Sequence, residues 1–254
     1  MLKLENVSKS FGGLTAVADV SLDLADNRVT GLVGPNGSGK STLFHIITGF
    51  YKADNGWVLF RDQPIQDLRP DAISRLGLIR TFQQTRVLPF LSVRDNLLAV
   101  APDQLGENIT AVFFSPQAIG RQERENRRRA DEILQMMKLE HLADRPAGEL
   151  SYGQERLLEL ARVLMCRPQL VLLDEPTSGV NPSLIRQIVK LIQQLKAQGM
   201  RFFLVEHNMP LVAELCERVL VMDAGRLIFD GSPGAAQQDP EVIEAYLGKS
   251  CETA

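Results

Sequence analysis

The stretch GPNGSGKST combines three glycines with a lysine that is followed by two hydroxyl side chains. Gly34, Gly39, Lys40 and Ser41 fit the spacing G-x-x-x-x-G-K-[ST], and a strand-like apolar run at 29–33 precedes them. Glycines allow the backbone to curl with its N–H groups pointing inward, and the N-terminus of the following helix adds partial positive charge. The stretch therefore predicts a loop that holds a polyphosphate with donors already in place.

The side chains of this loop suggest separate roles. Lys40 is expected to reach the β- and γ-phosphates, and Ser41 to offer its hydroxyl to Mg²⁺ with Thr42 nearby. The alternative is a flexible glycine turn, and the flanking strand and helix argue against it. The predicted nucleotide-binding residues of the loop are Gly34, Asn36, Gly37, Ser38, Gly39, Lys40, Ser41 and Thr42.

An acidic pair follows an apolar run in RPQLVLLDEP. In parallel α/β sheets ligands collect at the carboxyl ends of the strands, where a phosphate loop also opens. Asp174 is then placed to hold Mg²⁺ through water, and Glu175 to orient and deprotonate an attacking water. Outside such a context, an Asp-Glu pair is more often a surface turn.

A histidine ends another apolar run, in RFFLVEHNM. If this strand points into the same crevice, His207 could hydrogen-bond the γ-phosphate and the attacking water. A histidine with a purely structural role fits the composition equally well. His45 and His141 lack such a position, and we expect both to be structural or exposed.

The elements that must position these groups alternate between strand and helix. Apolar runs of strand length occur at 170–173, 202–205 and 219–222, and an amphipathic helix is predicted at 182–198 with Asn181 as its N-cap. Near-continuous apolar strands suit a sheet that is covered on both faces. The pattern predicts an α/β fold with a largely parallel sheet.

The beginning and the middle of the chain differ from this pattern. Val20, Leu22 and Leu24 alternate with polar residues, which predicts an added antiparallel sheet with one exposed face. Residues 85 to about 157 lack strand-like runs and read as a helical insertion, in which 101–121 has no assignable structure.

The overall charge argues against nucleic acid as a partner. The formal net charge is -3 and the pI is about 5.7, so no global basic field is present. The densest basic segment is 121–132, where Glu125 with Arg129 and Arg128 with Glu132 stand at helical i, i+4 spacing. We interpret that segment as a solvated, ion-paired helix face.

The cysteines and the hydropathy of the chain indicate which cellular compartment and which membrane association to expect. Cys166, Cys216 and Cys251 are too few and too scattered for a disulfide framework or a metal cluster, which favours a reducing compartment. No apolar run reaches signal-peptide or membrane-spanning length. Any membrane association is therefore expected to depend on a partner.

The ordered set GPNGSGKST, TFQQ, LSYGQ, LLDEP, SGVNP and VEHNM resembles the ATP-binding subunits of ABC transporters over essentially the whole chain. The resemblance implies a P-loop NTPase with a RecA-like core, an antiparallel β-subdomain and a helical, ABC-specific subdomain. It divides the chain into core and β-subdomain at 1–84 and 158–233, a helical subdomain at 85–157 and a C-terminal tail at 234–254. The cofactors it implies are ATP and Mg²⁺.

In this family two nucleotide-binding domains close head to tail. The resemblance therefore implies that Ser151, Gly153 and Gln154 of LSYGQ contact the γ-phosphate of ATP seated in the neighbour's loop. A monomer is then expected to be a poor ATPase. A simpler interpretation, in which Ser151 only caps the following helix, is compatible with that role.

Further residues match family positions. Phe11 matches the aromatic that stacks on adenine, although an aromatic at such a place is often just core. Gln83 matches the glutamine that reaches Mg²⁺ and water, and SGVNP at 178–182 matches the D-loop. Two departures are Tyr152, where many members have Gly, and Asn181, where many have Asp.

LSYGQ, the Asn-Pro D-loop and VEHNM together resemble the ATPases of branched-chain amino acid importers and of their urea and amide relatives. The ending EVIEAYLG is similar to that of the longer of the two ATPases in such importers. This implies a paralogous second ATPase, or a second copy of this chain, together with two permease subunits and an extracytoplasmic solute-binding protein. The implied location is peripheral, at the cytoplasmic face of the inner (cell) membrane.

The permease is expected to insert a short helix beside Gln83, against residues around 85–93 that include Pro89, Phe90 and Leu91. Three alternatives stay open. The first is a lipopolysaccharide-exporting ATPase, a class that is similar to this chain. The second is an ABC ATPase acting on DNA or ribosomes, which would need a coiled-coil insertion or a basic face. The third is a nonhydrolytic regulator, which would not need Glu175.

Overall fold

The computed structural model describes residues 1–24, 28–81 and 87–247. The chain divides into two compact units, the first comprising Met1–Arg80 and Gln169–Ala254 and the second Thr81–Pro168. The strands all lie in the first unit: β1 Leu2–Phe11, β2 Leu14–Asp23, β3 Val29–Val33, β4 Asn55–Phe60, β5 Gln63–Pro64, β6 Leu78–Arg80, β7 Leu170–Asp174, β8 Arg201–Val205, β9 Arg218–Asp223 and β10 Arg226–Gly231. The helices are α1 Lys40–Ile47, α2 Pro70–Arg75, α3 Val93–Leu98, α4 Ile109–Phe114, α5 Pro116–Met137, α6 Tyr152–Met165, α7 Pro182–Ala197, α8 Met209–Leu215, α9 Pro233–Ala236 and α10 Pro240–Leu247.

The main sheet has the order β10-β9-β3-β8-β7-β6. β6, β7, β8, β3 and β9 are parallel to one another, and β10 joins the edge antiparallel to β9. Every residue of β3 and β7 is buried, as expected for strands covered on both faces. The predicted α/β fold with a largely parallel sheet is confirmed.

The second sheet is antiparallel, with the order β2-β1-β4-β5. Val17, Val20 and Leu22 of β2 are buried while their neighbours along the strand are more exposed, so one face of this sheet packs inward. These side chains join Phe44 and Ile47 of α1 in one hydrophobic core. The predicted antiparallel addition at the start of the chain is confirmed.

The ends of α7 depend on local chemistry. The Asn181 side chain accepts a hydrogen bond from the Leu184 backbone N–H at 2.9 Å, and Pro182 occupies the first helical position. The helix ends before Gly199, whose φ of +95° continues the chain in the left-handed region. This N-cap and the helix bounds agree with the prediction to within one residue.

In the described residues of the second unit, the regular elements are α-helices and three 3-10 turns, and one isolated bridge joins Ser92 and Pro146. The stretch at 101–121 forms a 3-10 turn, then α4, then the first residues of α5. Phe113 and Phe114 of α4 are 76% and 85% exposed. Because α6 is one continuous helix to Met165, this unit extends past residue 157.

The charged face of α5 is only partly as predicted. Arg128 and Glu132 form the expected i, i+4 pair, with 3.7 Å between nitrogen and oxygen. The second predicted pair is wrong, because Glu125 faces Arg167 at 3.8 Å. Arg129 instead turns inward and donates to the Leu164 carbonyl at 2.9 Å.

The buried side-chain amide of Asn96 holds the segment 88–92, which precedes α3. Asn96 is fully buried, and its side chain both accepts from the Leu88 N–H and donates to the Leu88 and Ser92 carbonyls. Phe90, in the middle of this segment, is 96% exposed. The segment is therefore rigidly supported while its apolar tip faces solvent.

Across the described ranges, no helix has both the length and the hydropathy that crossing a lipid bilayer requires.

Candidate functional site

The loop between β3 and α1 depends on glycine. Gly34, Gly37 and Gly39 have φ values of +147°, +79° and +100°, in the region that side chains disfavour. A Cβ on Gly39 would lie 2.3 Å from the Ala16 carbonyl oxygen, so no larger residue fits there. The backbone curl predicted from the sequence is present, and α1 begins at Lys40.

Lys40 folds back over this loop. Its Nζ donates to the Gly34 and Pro35 carbonyls, each at 2.8 Å, and to Ser38 Oγ at 3.2 Å. The side chain thus places a positive charge in the glycine loop at the N-terminus of α1. That arrangement attracts an anion.

A cavity of about 440 Å³ opens at the loop. Its volume lies in the usual range for small-molecule sites. It is lined by Phe11, Leu14, Thr15, Ala16, Asn36, Gly37, Ser38, Gly39, Lys40, Ser41, Thr42, Glu175 and Ala224. The structure therefore brings Phe11 and Glu175 to the same cavity as the loop. Gly34 is not among the lining residues, and its φ of +147° contributes to the turn of the loop.

The acidic pair ends β7 in two different environments. The Asp174 side chain is 1% exposed, and its Oδ2 accepts from Arg80 Nη2 at 2.5 Å. Glu175 has a φ of +47° and a side chain that is 29% exposed, so the chain turns sharply between the two carboxylates. Asp174 stays under the surface, and Glu175 reaches the cavity.

Arg80 is a site residue that sequence reasoning missed. It ends β6, its side chain is 7% exposed, and its guanidinium carbon lies 5.6 Å from the centre of the Phe44 ring. The only available signal was an arginine closing the short apolar run LGLIR just before TFQQ. Gln83, the other predicted residue of that region, lies outside the described residues.

The end of β8 carries two polar side chains with different roles. Glu206 is 1% exposed, and its Oε1 accepts from the Thr177 hydroxyl at 2.6 Å. His207 is 64% exposed, and its Nδ1 lies 3.9 Å from Glu175 Oε1. Glu206 thereby ties the end of β8 to the turn after β7, and this brings His207 and Glu175 together.

His45 has a structural position, as expected. Its Nδ1 lies 2.6 Å from the Ser41 carbonyl oxygen, one helical turn earlier. Burial lowers the pKa of His45 below its ordinary value, and the nearby Arg80 guanidinium acts in the same direction. The ring is therefore mainly neutral near pH 7.

The C-terminal helix also contacts the loop, which the sequence did not indicate. Burial raises the pKa of Tyr246 in α10, while a hydrogen bond with the Gly34 backbone partly opposes that shift. The segment expected as a tail thus contains a helix with one side chain against the first glycine of the loop.

The donor set suits Mg²⁺. Ser41 offers a hydroxyl at the cavity, and Asp174 offers a carboxylate at the end of β7, both hard oxygen ligands. No group of three or more His, Cys, Asp or Glu side chains among the described residues could hold a metal on its own. Two hard oxygen ligands fit an ion that keeps several waters, as Mg²⁺ does.

LSYGQ forms the start of α6 in the second unit. Ser151 is the N-cap, and its Oγ accepts from the Gln154 N–H while Gln154 Oε1 accepts from the Ser151 N–H at 2.9 Å, which completes a capping box. Ser151 and Tyr152 are both exposed. The Gln154 side chain is therefore engaged in the cap. Gly153, the second residue of the helix, adds no side chain to the first turn.

The chain matches the profile of the ABC transporter family over residues 17–178, and that of the branched-chain amino acid ATP-binding cassette transporters over 226–251. It is 37% identical, over 98% of both chains, to the high-affinity branched-chain amino acid transport ATP-binding protein BraF of Pseudomonas aeruginosa. Among solved structures, it is similar to an ATP-binding cassette of an ABC transporter in its ADP conformation (TM-score 0.81, 37% identity, 98% of both chains). It is also similar to a dimeric cassette in a post-hydrolysis state with ADP and Pi (TM-score 0.73, 27% identity, 92% of this chain and 99% of that one).

Proposed function

The chain belongs to the ABC transporter family and is an ATPase of that family, and on this basis we propose that it powers import of branched-chain amino acids through a membrane permease. The observation that carries the ATPase part of the proposal is one cavity shared by the glycine loop, Lys40 and Glu175, whereas import of branched-chain amino acids rests on the match at 226–251 and on the 37% identical relative. It combines a cradle for phosphates with a carboxylate that can act on water. The resemblance drawn from six short motifs, the P-loop NTPase fold and the ATPase activity agree with the comparisons.

Within the site, the loop N–H groups and Lys40 bind the β- and γ-phosphates of ATP, and Phe11 stacks on the adenine. Glu175 accepts a proton from the attacking water. His207, beside Glu175, hydrogen-bonds the γ-phosphate and that water. Ser41, Asp174 and Gln83 would hold Mg²⁺, which when bound neutralises charge on the transferred phosphoryl group.

The proposed partners follow from the loop in the second unit. Gly153 and the N-terminus of α6 present backbone donors that suit the γ-phosphate bound by a facing ATPase, a paralogue or a second copy, and the exposed Ser151 hydroxyl would join them by turning from Gln154 Oε1. Gln154 contributes by holding that cap. The dimeric relative with ADP and Pi supports an assembly of two cassettes.

The remaining partners are two permease subunits and an extracytoplasmic solute-binding protein, with this chain at the cytoplasmic face of the cell membrane. Phe90, exposed on a rigid support, is the proposed contact for the permease. Phe90→Asp should then uncouple transport without lowering ATP binding. Unchanged transport by this variant would remove that contact.

The central test is Glu175→Gln in the chain assembled with its partner ATPase and permeases. Loss of the general base should lower single-turnover hydrolysis of the ATP bound at this chain's own loop about 10²- to 10⁴-fold, while ATP binding there is kept. The ligand bound to the copurified solute-binding protein identifies the transported solute. Undiminished hydrolysis at this site with Glu175→Gln, or a copurified ligand that is not a branched-chain amino acid, would contradict the proposal.

A further inference from the structure

Phe11, the aromatic at the mouth of the cavity, is restrained by two neighbours. The Tyr51 ring packs edge-to-face on it, with 5.3 Å between centroids and 71° between planes. Lys9 Nζ lies 5.4 Å from the centre of the Phe11 ring, and Asp54 Oδ1 accepts from that ammonium at 2.6 Å. Phe11 nevertheless remains 43% exposed.

Tyr51 is itself anchored to the helix that follows the phosphate loop. Its backbone N–H donates to the His45 carbonyl at 3.1 Å, and its ring lies 4.9 Å from the His45 ring at an angle of 34°. The His45 ring in turn contacts the Ser41 carbonyl. The rings of His45 and Tyr51 therefore connect the first turn of α1 to Phe11.

The position of Phe11 explains why such support matters. Phe11 is the last residue of β1, directly before Gly12 and Gly13, and its partner in the ladder, Leu14, is 69% exposed. An exposed ring at a hairpin end has several rotamers available, and fixing one of them costs conformational entropy. A ring already held in place loses less of that entropy when a base stacks on it.

We propose that Tyr51 is a positioning residue for nucleotide-base recognition, which holds the Phe11 ring at the orientation that the adenine of ATP requires. The inference rests on the proposed ATP site, and it adds a residue that lies outside the glycine loop and outside the cavity lining. Tyr51 acts through Phe11 and does not touch the nucleotide. Its effect should therefore appear only with ligands that carry a base.

The test compares binding of ADP with binding of inorganic pyrophosphate to the full chain by isothermal titration calorimetry, both with Mg²⁺. Neither ligand needs the hydrolytic step, and pyrophosphate reports the phosphate loop alone. Tyr51→Ala should weaken ADP binding about two- to tenfold and leave pyrophosphate binding unchanged, whereas Tyr51→Phe should keep both. Trp57→Ala, which removes another exposed aromatic from the same antiparallel sheet, is the matched control and should change neither.

Phe11→Ala separates failure of the inference from failure of the site. If Phe11→Ala weakens ADP but Tyr51→Ala does not, the positioning role is wrong and the base site stands. If Phe11→Ala leaves ADP binding intact, the proposed base site itself is wrong. Equal weakening of ADP and pyrophosphate by Tyr51→Ala would mean that Tyr51 acts on the phosphate loop through His45, and this also overturns the inference. An added effect of Tyr51→Ala in the Phe11→Ala background would do the same.

Discussion

At the scale of single residues, Asp174 and Arg80 form a charge pair in a nearly dry environment. Both side chains are more than nine-tenths buried, and Nε and Nη1 of Arg80 find no acceptor among the described residues. Such a pair adds little net stability by itself, but removing one partner leaves a buried charge uncompensated. Asp174 therefore depends on Arg80 in the conformation seen here.

We expect Arg80→Met to lower the free energy of unfolding by about 3–5 kcal/mol. The double variant Arg80→Met with Asp174→Asn should recover most of that loss, because the remaining side chain is neutral. Urea denaturation followed by circular dichroism measures both. Lys52→Met, which breaks an exposed pair with Asp67, is the control and should cost at most about 1 kcal/mol. A loss from Arg80→Met as small as that of the control would refute the argument.

His45 predicts a pH effect on stability. Burial places its pKa in the folded protein below the unfolded value of about 6.5, so the unfolded chain binds the proton more readily. Above about pH 6.5 His45 is mainly neutral in both states, so it does not destabilise the folded state there. As pH falls from about 6.5 toward the folded pKa, protonation of the unfolded chain lowers the free energy of unfolding. His45→Gln should lose less unfolding free energy than the parent between pH 7.5 and 5.5. Parallel curves for the two proteins would show that His45 makes no contribution.

At the scale of elements, α6 begins with a cap whose two roles can be separated. Ser151→Asp keeps an N-cap oxygen, so the unfolding free energy should stay within about 0.5 kcal/mol, whereas Ser151→Ala should cost about 1 kcal/mol. Single-turnover hydrolysis at the site that α6 would face in the proposed dimer should nevertheless fall about 10- to 100-fold with Ser151→Asp, because a carboxylate would face the neighbour's γ-phosphate. Turnover that follows stability, falling more with Ala than with Asp, would leave Ser151 with a capping role only.

The elements differ in how far their positions could be predicted. The glycine loop, the strand ends at Asp174 and His207 and the cap at Asn181 were predictable, because each is set by residues close together in sequence. The ion pair between Arg80 and Asp174 joins residues 94 positions apart, so no local sequence pattern predicts it. α4 was missed because its apolar residues stay exposed and lack the one-sided periodicity of a packed helix.

At the scale of the whole molecule, the proposed dimer would give this chain half of each of two sites. In a dimer with a paralogue, Lys40→Ala should disable the site built on this chain's loop and leave the opposite site intact. Ser151→Asp should do the reverse, because this chain's α6 serves the partner's nucleotide. Single-turnover hydrolysis by the assembled pair measures each case. Only the double variant Lys40→Ala with Ser151→Asp should lose hydrolysis at both sites. If either single variant already abolished hydrolysis at both sites, the two sites would depend on each other.

The order of the main sheet has a consequence for synthesis of the chain. β3, which leads into the glycine loop, lies between β8 and β9, so residue 29 pairs with residue 202 and residue 30 with residue 218. A nascent chain emerging from the ribosome therefore holds the loop without either flanking strand until most of the polypeptide has been made. Contacts this distant in sequence form slowly. Nascent chains that stop before β8 should fail to retain nucleotide, and a complete chain should acquire that ability in one late step.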